Sequence, residues 1–205
     1  SKDHELEKYL LRGGLPGLCF VREERLRSEA LNALHQLILD RDLRLIVETR
    51  LSIEMLMRFL REIANGTWGA YNASEMKRKT GLSHQTQKNL LYAFEAIYLI
   101  RRIPITGRAC EVILLEDQFE ERILSEVKIS RSNQLLSAFF RNARAQFNYR
   151  LGEQVHFESY WTRAGARVPL VMRSSDGILG CIVLESGRPT LSERRASDSF
   201  LRNEP

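Results

Sequence analysis

The sequence predicts an α+β fold, and three observations carry that prediction. Apolar residues recur at helical spacing from Glu23 to Tyr98, β-branched runs flank Gly107, and three strand-like runs follow residue 154. With 205 residues, 43% of them hydrophobic, the chain can bury one large core or two small ones, and its punctuation favours two.

The N-terminal stretch SKDHELEKYL is charged where a signal peptide would be apolar. No run of about 18 apolar residues offers a membrane span, so a soluble, cytoplasmic protein is expected. Gly13, Gly14, Leu15, Pro16 and Gly17 predict a turn, because clustered Gly and Pro break both helix and strand. From Glu23 to Leu39, Leu26, Ala30, Leu34, Leu37 and Ile38 stand at helical spacing among charges, which predicts an amphipathic helix ending near Asp40-Arg41-Asp42. Residues 1–50 read as a helical lead-in.

A second helix is expected from Ser52 to Ala64, burying Ile53, Leu56, Met57, Leu60 and Ile63 and stopping at Asn65-Gly66. A loop with Trp68 and Tyr71 follows. Asn72, with Glu75 three positions on, resembles a capping box and starts a short helix through Lys79. Gly81 makes the turn and Ser83 caps the next helix, whose apolar stripe is Leu90, Leu91, Phe94, Ile97 and Tyr98. His84, Gln85, Gln87 and Lys88 are expected on its exposed first turns. A short helix, a Gly turn and a second helix led by hydrogen-bonding side chains form the helix-turn-helix pattern, with the second as recognition helix. Leu99 to Ile105 and Ala109 to Leu115, around Thr106-Gly107-Arg108, then read as a hairpin, the wing of a winged helix over residues 51–118.

Charge singles out the same region. Residues 51–110 carry nine basic and four acidic side chains, whereas 1–50 balance at nine each and 111–205 at thirteen each. The net charge of +5 therefore lies in the middle segment, where it would attract an anionic partner such as duplex DNA. His84, Gln85, Gln87 and Lys88 are expected to face the major groove, Gln85 and Gln87 as candidates to read base edges; Lys77, Arg78, Lys79, Arg101, Arg102 and Arg108 are candidates for phosphate. The plain alternative is a solvated helix surface.

Beyond the wing, Ser125 to Tyr149 predicts a long helix with Leu135, Leu136, Phe139, Phe140, Ala143 and Phe147 on one face, broken at Gly152. Strands are expected over Gln154–Trp161, Arg167–Arg173 and Ile178–Glu185, separated by Gly-containing turns, so residues 119–205 read as an α/β unit. Cys19, Cys110 and Cys181 have no CxxC spacing and read as small buried hydrophobes in a reducing compartment. His4, His35 and His156 have no evident partner and read as surface or packing residues. No metal or cofactor is expected.

The order of motifs resembles the C-terminal half of a large prokaryotic family of AAA+ ATPases, in which a domain of unknown function follows the ATPase. Tyr9-Leu-Leu-Arg-Gly-Gly-Leu-Pro16 looks like the family's glycine-glycine-aromatic-proline segment, and Leu39-Asp-Arg-Asp-Leu43 its arginine-aspartate motif. Ser83-His-Gln-Thr86 with Leu90 and Phe94-Glu95 looks like its recognition helix, and Val112 to Asp117 its strand ending in aspartate. Tyr160 to Met172 resembles its terminal nuclease-like domain of the PD-(D/E)xK type.

The resemblance implies a nuclease-shaped domain that has lost its chemistry. Such nucleases need two carboxylates for Mg²⁺ and a lysine beside the attacking water. Here the aspartate position falls on Pro169, the acidic position on Val183, the lysine position on Glu185 and the helix glutamate on Ser137. Shifting the alignment by two puts Glu185 in the acidic position but Gly187 in place of lysine. A residual nuclease would have to recruit Glu158, Asp176 or Glu185. No GxxxxGK[ST] loop is present, so an ATPase module would lie before Ser1, and the chain's two ends read as those of a piece of a longer protein. The expected function is a non-catalytic, DNA-binding accessory region; the alternative is a docking and regulatory module, on its own ATPase or a membrane-associated partner, without nucleic acid.

Overall fold

The computed structural model describes residues 2–151, 155–163, 165–183 and 188–203. The fold is mixed α and β, as the sequence predicts. Contacts divide the chain into two compact units: the first comprises 1–67, 71–102 and 113–129, the second 68–70, 103–112 and 130–205. These differ from divisions at residues 50 and 118, because Leu39 and Leu43 of the lead-in share one core with Leu56, Phe59, Leu90 and Phe94.

In the first unit, α1 (Lys2–Arg12) ends at Gly13, whose N–H donates to the Tyr9 carbonyl. Helix α2 (Glu24–Leu37) runs into a π-helical stretch (Ile38–Asp42) and a short α3 (Leu43–Ile46). The buried face of α2 is Arg27, Leu31 and His35, not the expected stripe: Leu26 and Leu37 are exposed. The reason is polar. Arg27 donates to the Val21 carbonyl at 2.6 Å and lies 4.8 Å from the Phe119 ring centre, while His35 Nε2 is 3.0 Å from Glu120 Oε1. Helical-period reading counts apolar residues and so passes over a face built from a guanidinium and an imidazole. His35 thus has a partner, 85 residues away.

Helix α4 (Ile53–Asn65) starts on Ser52, whose side chain accepts from the Met55 N–H. Asn72 caps α5 (Ala73–Thr80) by accepting from Ser74 and Glu75, and Ser83 caps α6 (His84–Ala96) by accepting from Thr86. Strands β1 (Ile100–Pro104) and β2 (Glu111–Leu115) pair across the Gly107 turn, and α7 (Gln118–Leu124) follows. The long helix expected from Ser125 begins later. Asn65 Oδ1 accepts from the Glu126 N–H at 2.8 Å, and this side chain satisfies a non-helical backbone there.

The second unit opens that helix at Ser130, which caps α8 (Arg131–Ala145); a wide helical stretch, Gln146–Leu151, extends it. Strands β3 (His156–Trp161), β4 (Arg167–Ser174) and β5 (Gly177–Cys181) form an antiparallel sheet in sequence order. The hairpin tip joins this sheet, with the Thr106 N–H donating to the Ser159 carbonyl at 2.8 Å. Trp68, Phe140 and Phe157 pack edge to face, and Trp68 Nε1 donates to Ser137 Oγ at 2.8 Å. A helix the sequence analysis did not anticipate, α9 (Leu191–Asn203), lays Ala196 and Phe200 on Val168 and Val171. The expected strand beyond Cys181 gives way at Ile182 and Val183, and Gly152, Gln154, Glu185 and Gly187 lie outside the described residues. The three cysteines are half-buried rather than fully buried. Among the described residues no helix is long and apolar enough to cross a membrane.

Candidate nucleic-acid interface

Helices α5 and α6 are held to one another by Gln87. Its Nε2 donates to the Ala73 carbonyl at 3.1 Å and the Leu82 carbonyl at 2.9 Å, and its Oε1 accepts from the Tyr71 hydroxyl at 2.7 Å. It is 1% exposed, so the expectation that Gln87 faces outward for base reading is corrected. A buried amide with three partners fixes the turn and sets the angle at which α6 leaves it. Gly81, at φ 77°, makes the left-handed step that ends α5, and its N–H closes on the Lys77 carbonyl at 2.7 Å.

The remaining expected contacts separate into two groups. Lys77, Arg78, His84, Gln85 and Lys88 are exposed, and among the described residues Lys77, Arg78 and Lys88 make no ion pair. Lys79, Arg101, Arg102 and Arg108 are engaged within the protein. Lys79 Nζ lies 2.9 Å from Glu62 and 3.3 Å from Glu75, and its hydrogen bond to the Glu62 carboxylate raises its pKa above the ordinary lysine value. Arg101 pairs with Glu116 at 3.1 Å, and both Arg101 and Arg102 lie 3.9 Å from Glu95. In the second unit, Arg108 donates to the Thr162 carbonyl at 2.6 Å and sits 5.8 Å from the Trp161 ring centre.

Those engaged arginines shape the field of α6. Glu95 is the one carboxylate in that helix, and Arg101 and Arg102 flank it. The outward face is therefore free of unbalanced negative charge. At 3.6 residues per turn, Gln85, Lys88, Asn89 and Tyr92 fall within an arc of roughly 100°. Gln85 Nε2 donates to Asn89 Oδ1 at 2.8 Å, and Tyr92 is 66% exposed. Asn89 and Tyr92 were not singled out from sequence, although their spacing of four from Gln85 and Lys88 marks one face.

The positions where the resemblance would put metal chemistry lie in the second unit. Pro169 on β4 and Val183 line a cavity of about 260 Å³ with Arg167, Asn133, Ser132, Thr190 and Glu193. Pro169 and Val183 carry no side-chain oxygen or nitrogen, and Glu193 is engaged with Thr190 at 2.7 Å. Ser137 is the buried acceptor of Trp68, and Glu185 is not among the described residues. Glu158 is hydrogen-bonded to Arg173, and Asp176 accepts from Ser175 Oγ within a tight turn. Among the described residues no group of three or more His, Cys, Asp or Glu side chains could hold a metal ion.

The chain belongs to a family defined by a domain of unknown function, DUF8612, which matches residues 3–110, just over half of its length. That span takes in α1 to β1 and so the whole of α5, the Gly81 turn and α6. Comparison with curated proteins and with solved structures gives no match.

Proposed function

We propose that this chain is a non-catalytic, DNA-binding accessory region that meets duplex DNA through α5, the Gly81 turn and α6, arranged as in a winged helix. One observation carries the reading: Lys77, Arg78 and Lys88, on the two helices that Gln87 ties together, are exposed and free of ion pairs among the described residues, whereas the other basic candidates are engaged internally. Exposed cations on a fixed helix pair suit the phosphates flanking a major groove, and the amides of α6 suit the base edges within it. The motif order supports a place beside an AAA+ ATPase module. The Pro and Val at the positions where the resemblance puts metal ligands support a second unit without metal chemistry.

The second reading, a docking module without nucleic acid, draws on the engagement of Arg101, Arg102 and Arg108, which takes the wing's cations away from an external anion. Fluorescence anisotropy of a labelled duplex at rising salt separates the two. Binding with a steep salt dependence, weakened in a Lys77→Ala, Arg78→Ala, Lys88→Ala variant that keeps its fold, is the outcome expected for DNA. Absence of binding by the unaltered chain at low salt leaves docking.

A further inference from the structure

We propose that the chain forms a twofold dimer by pairing β5 of one copy antiparallel with β5 of a second, which joins two three-stranded sheets into one of six strands. The dimer is independent of the DNA reading. Its basis is a free sheet edge. The strand order β3-β4-β5 leaves β5 with one neighbour, β4. In an antiparallel ladder alternate residues turn their N–H and C=O groups toward that neighbour, and the residues between turn theirs away. Among the described residues nothing outside β4 hydrogen-bonds to Gly177–Cys181. The opposite edge of the sheet is engaged: Ile105 bridges to Ser159 of β3, and the Thr106 N–H donates to the Ser159 carbonyl.

Open edges of monomeric proteins are blunted by lysine, proline, a bulge or a covering segment. Strand β5 is Gly-Ile-Leu-Gly-Cys, with no charge and no proline, and its register with β4 runs without a shift. Ile178 is 39% and Leu179 54% exposed. An uncharged, unbulged and exposed edge is suited to receive another strand.

The side chains identify that strand as a second copy of β5. A Cβ on Gly180 would meet Phe200 at 2.9 Å, which places Gly180 on the face that α9 covers. Alternation then puts Ile178 on that face and Leu179 on the other, beside Met172, its partner in β4. Twofold pairing centred on Leu179 is the register in which all five residues of β5 find a partner. It sets the two Leu179 side chains opposite one another and each Ile178 opposite the other copy's Gly180. On the α9 face a large side chain thus meets a residue with none, in both directions. On the other face Leu179 borders an open cavity of about 250 Å³ lined by Phe147, Val155 and Met172, and the arriving leucine covers its mouth. Strand β5 brings no charge to the pairing, and Asp176, in the turn before it, lies at opposite ends of the paired strands in the two copies. Because the edge at β3 is engaged, association closes at two copies.

Sedimentation equilibrium of the full chain across the micromolar range tests the dimer. The expected result is a species of twice the 23.8 kDa chain mass that dissociates on dilution and forms nothing larger. Leu179→Lys, which sets two ammonium groups opposite one another, should give the single mass at every concentration. Leu45→Lys, at an exposed apolar residue of α3, should still dimerise. Register is read by oxidising Leu179→Cys and Ile178→Cys in a chain whose three native cysteines are replaced by serine. Directly opposed residues lie about 4.5 to 5.5 Å apart between Cα atoms, within disulfide reach, whereas the two Ile178 positions are offset diagonally by about 7 to 8 Å. Leu179→Cys should therefore cross-link and Ile178→Cys should not. A single mass throughout for the unaltered chain overturns the proposal and leaves the edge to a strand of another protein. A dimer that survives Leu179→Lys, or equal cross-linking of the two cysteine variants, overturns it as well. Both residues are exposed, and unchanged circular dichroism keeps misfolding from imitating a loss of association.

Discussion

Asp117 Oδ2 accepts from the Gly14 N–H at 2.7 Å across 103 residues of chain, while Oδ1 of the same carboxylate accepts from the Phe119 N–H at 2.7 Å. One side chain thus caps α7 and clasps the turn that ends α1. The carboxylate sits so close to Gly13 that a Cβ there would collide with it, and Gly13 also has a φ of 70°. Gly13→Ala is expected to cost about 2 to 4 kcal/mol, combining left-handed strain with a clash. Gly17→Ala has similar strain at φ 84° but open space around it, and should cost only about 1 kcal/mol. Urea unfolding of the two variants checks the difference, and equal losses would mean that Asp117 does not hold the turn.

Gln87 supports a second prediction. Removing its amide takes a hydrogen-bond partner from two carbonyls and a tyrosine hydroxyl in a buried to part-buried site. Gln87→Ala should lose about 2 to 3 kcal/mol. Gln85→Ala, exposed on the same helix, should stay within about 0.5 kcal/mol of the parent. Thermal melts of both variants decide the matter, and a silent Gln87→Ala would show that the two helices are held by apolar contact alone.

The buried pair of His35 and Glu120 is open to a test by pairwise replacement. Either residue changed alone removes the buried bond between them, and a loss of about 1 to 3 kcal/mol is expected. Changing both, as His35→Phe with Glu120→Leu, should recover most of that loss, because apolar packing replaces two desolvated polar groups. A double variant no more stable than the single ones would indicate that other neighbours of Glu120 carry the larger share.

Helix α9 begins with a reciprocal cap: the Thr190 N–H and hydroxyl donate to Glu193 Oε2 at 2.6 and 2.7 Å, and the Glu193 N–H donates to Thr190 Oγ1 at 3.3 Å. The bonds from Thr190 lower the Glu193 pKa below its ordinary value of 4.5. A group depressed in the folded state stabilises it above its unfolded pKa, and that contribution is lost as pH falls through the folded value. Protection of the α9 amides, taken relative to their intrinsic exchange rates, should therefore fall on acidification below about pH 4.5. Glu193→Gln should show lower protection at neutral pH and lose this part of the acid response, which nuclear magnetic resonance reads residue by residue.

Local chemistry was legible where a single residue governs the backbone. Ser52, Asn72 and Ser83 cap the helices that their spacing announces, and Gly81 makes the turn between α5 and α6. Long-range polar pairing was not. Arg27 and His35 are charged or polar letters on a helix, and only the arrival of α7 turns them into a buried face. Gln87 looks the same as Gln85 in the sequence; Tyr71 and the Ala73 and Leu82 carbonyls, brought close by the turn, make it structural. Helix α9 was missed because its stripe is thin, with only Ala196 and Phe200 buried among many polar residues.

On the proposed DNA reading, the same distinction between engaged and free side chains predicts how salt would act on binding. Each lysine or arginine that neutralises a phosphate contributes about one unit to the slope of log affinity against log salt, so removing it should flatten the slope by about that amount. Lys77→Ala, Arg78→Ala and Lys88→Ala should each do so. Arg101→Ala should not, because Arg101 already faces Glu95 and Glu116 and releases no counterion on binding. Its removal takes one cation away from Glu95 and Glu116, so affinity should fall through the added negative charge while the slope contribution of the three exposed cations remains. A flattened slope in Arg101→Ala, with no change in Lys88→Ala, would instead move the proposed duplex contact from the face of α6 to the β1–β2 hairpin.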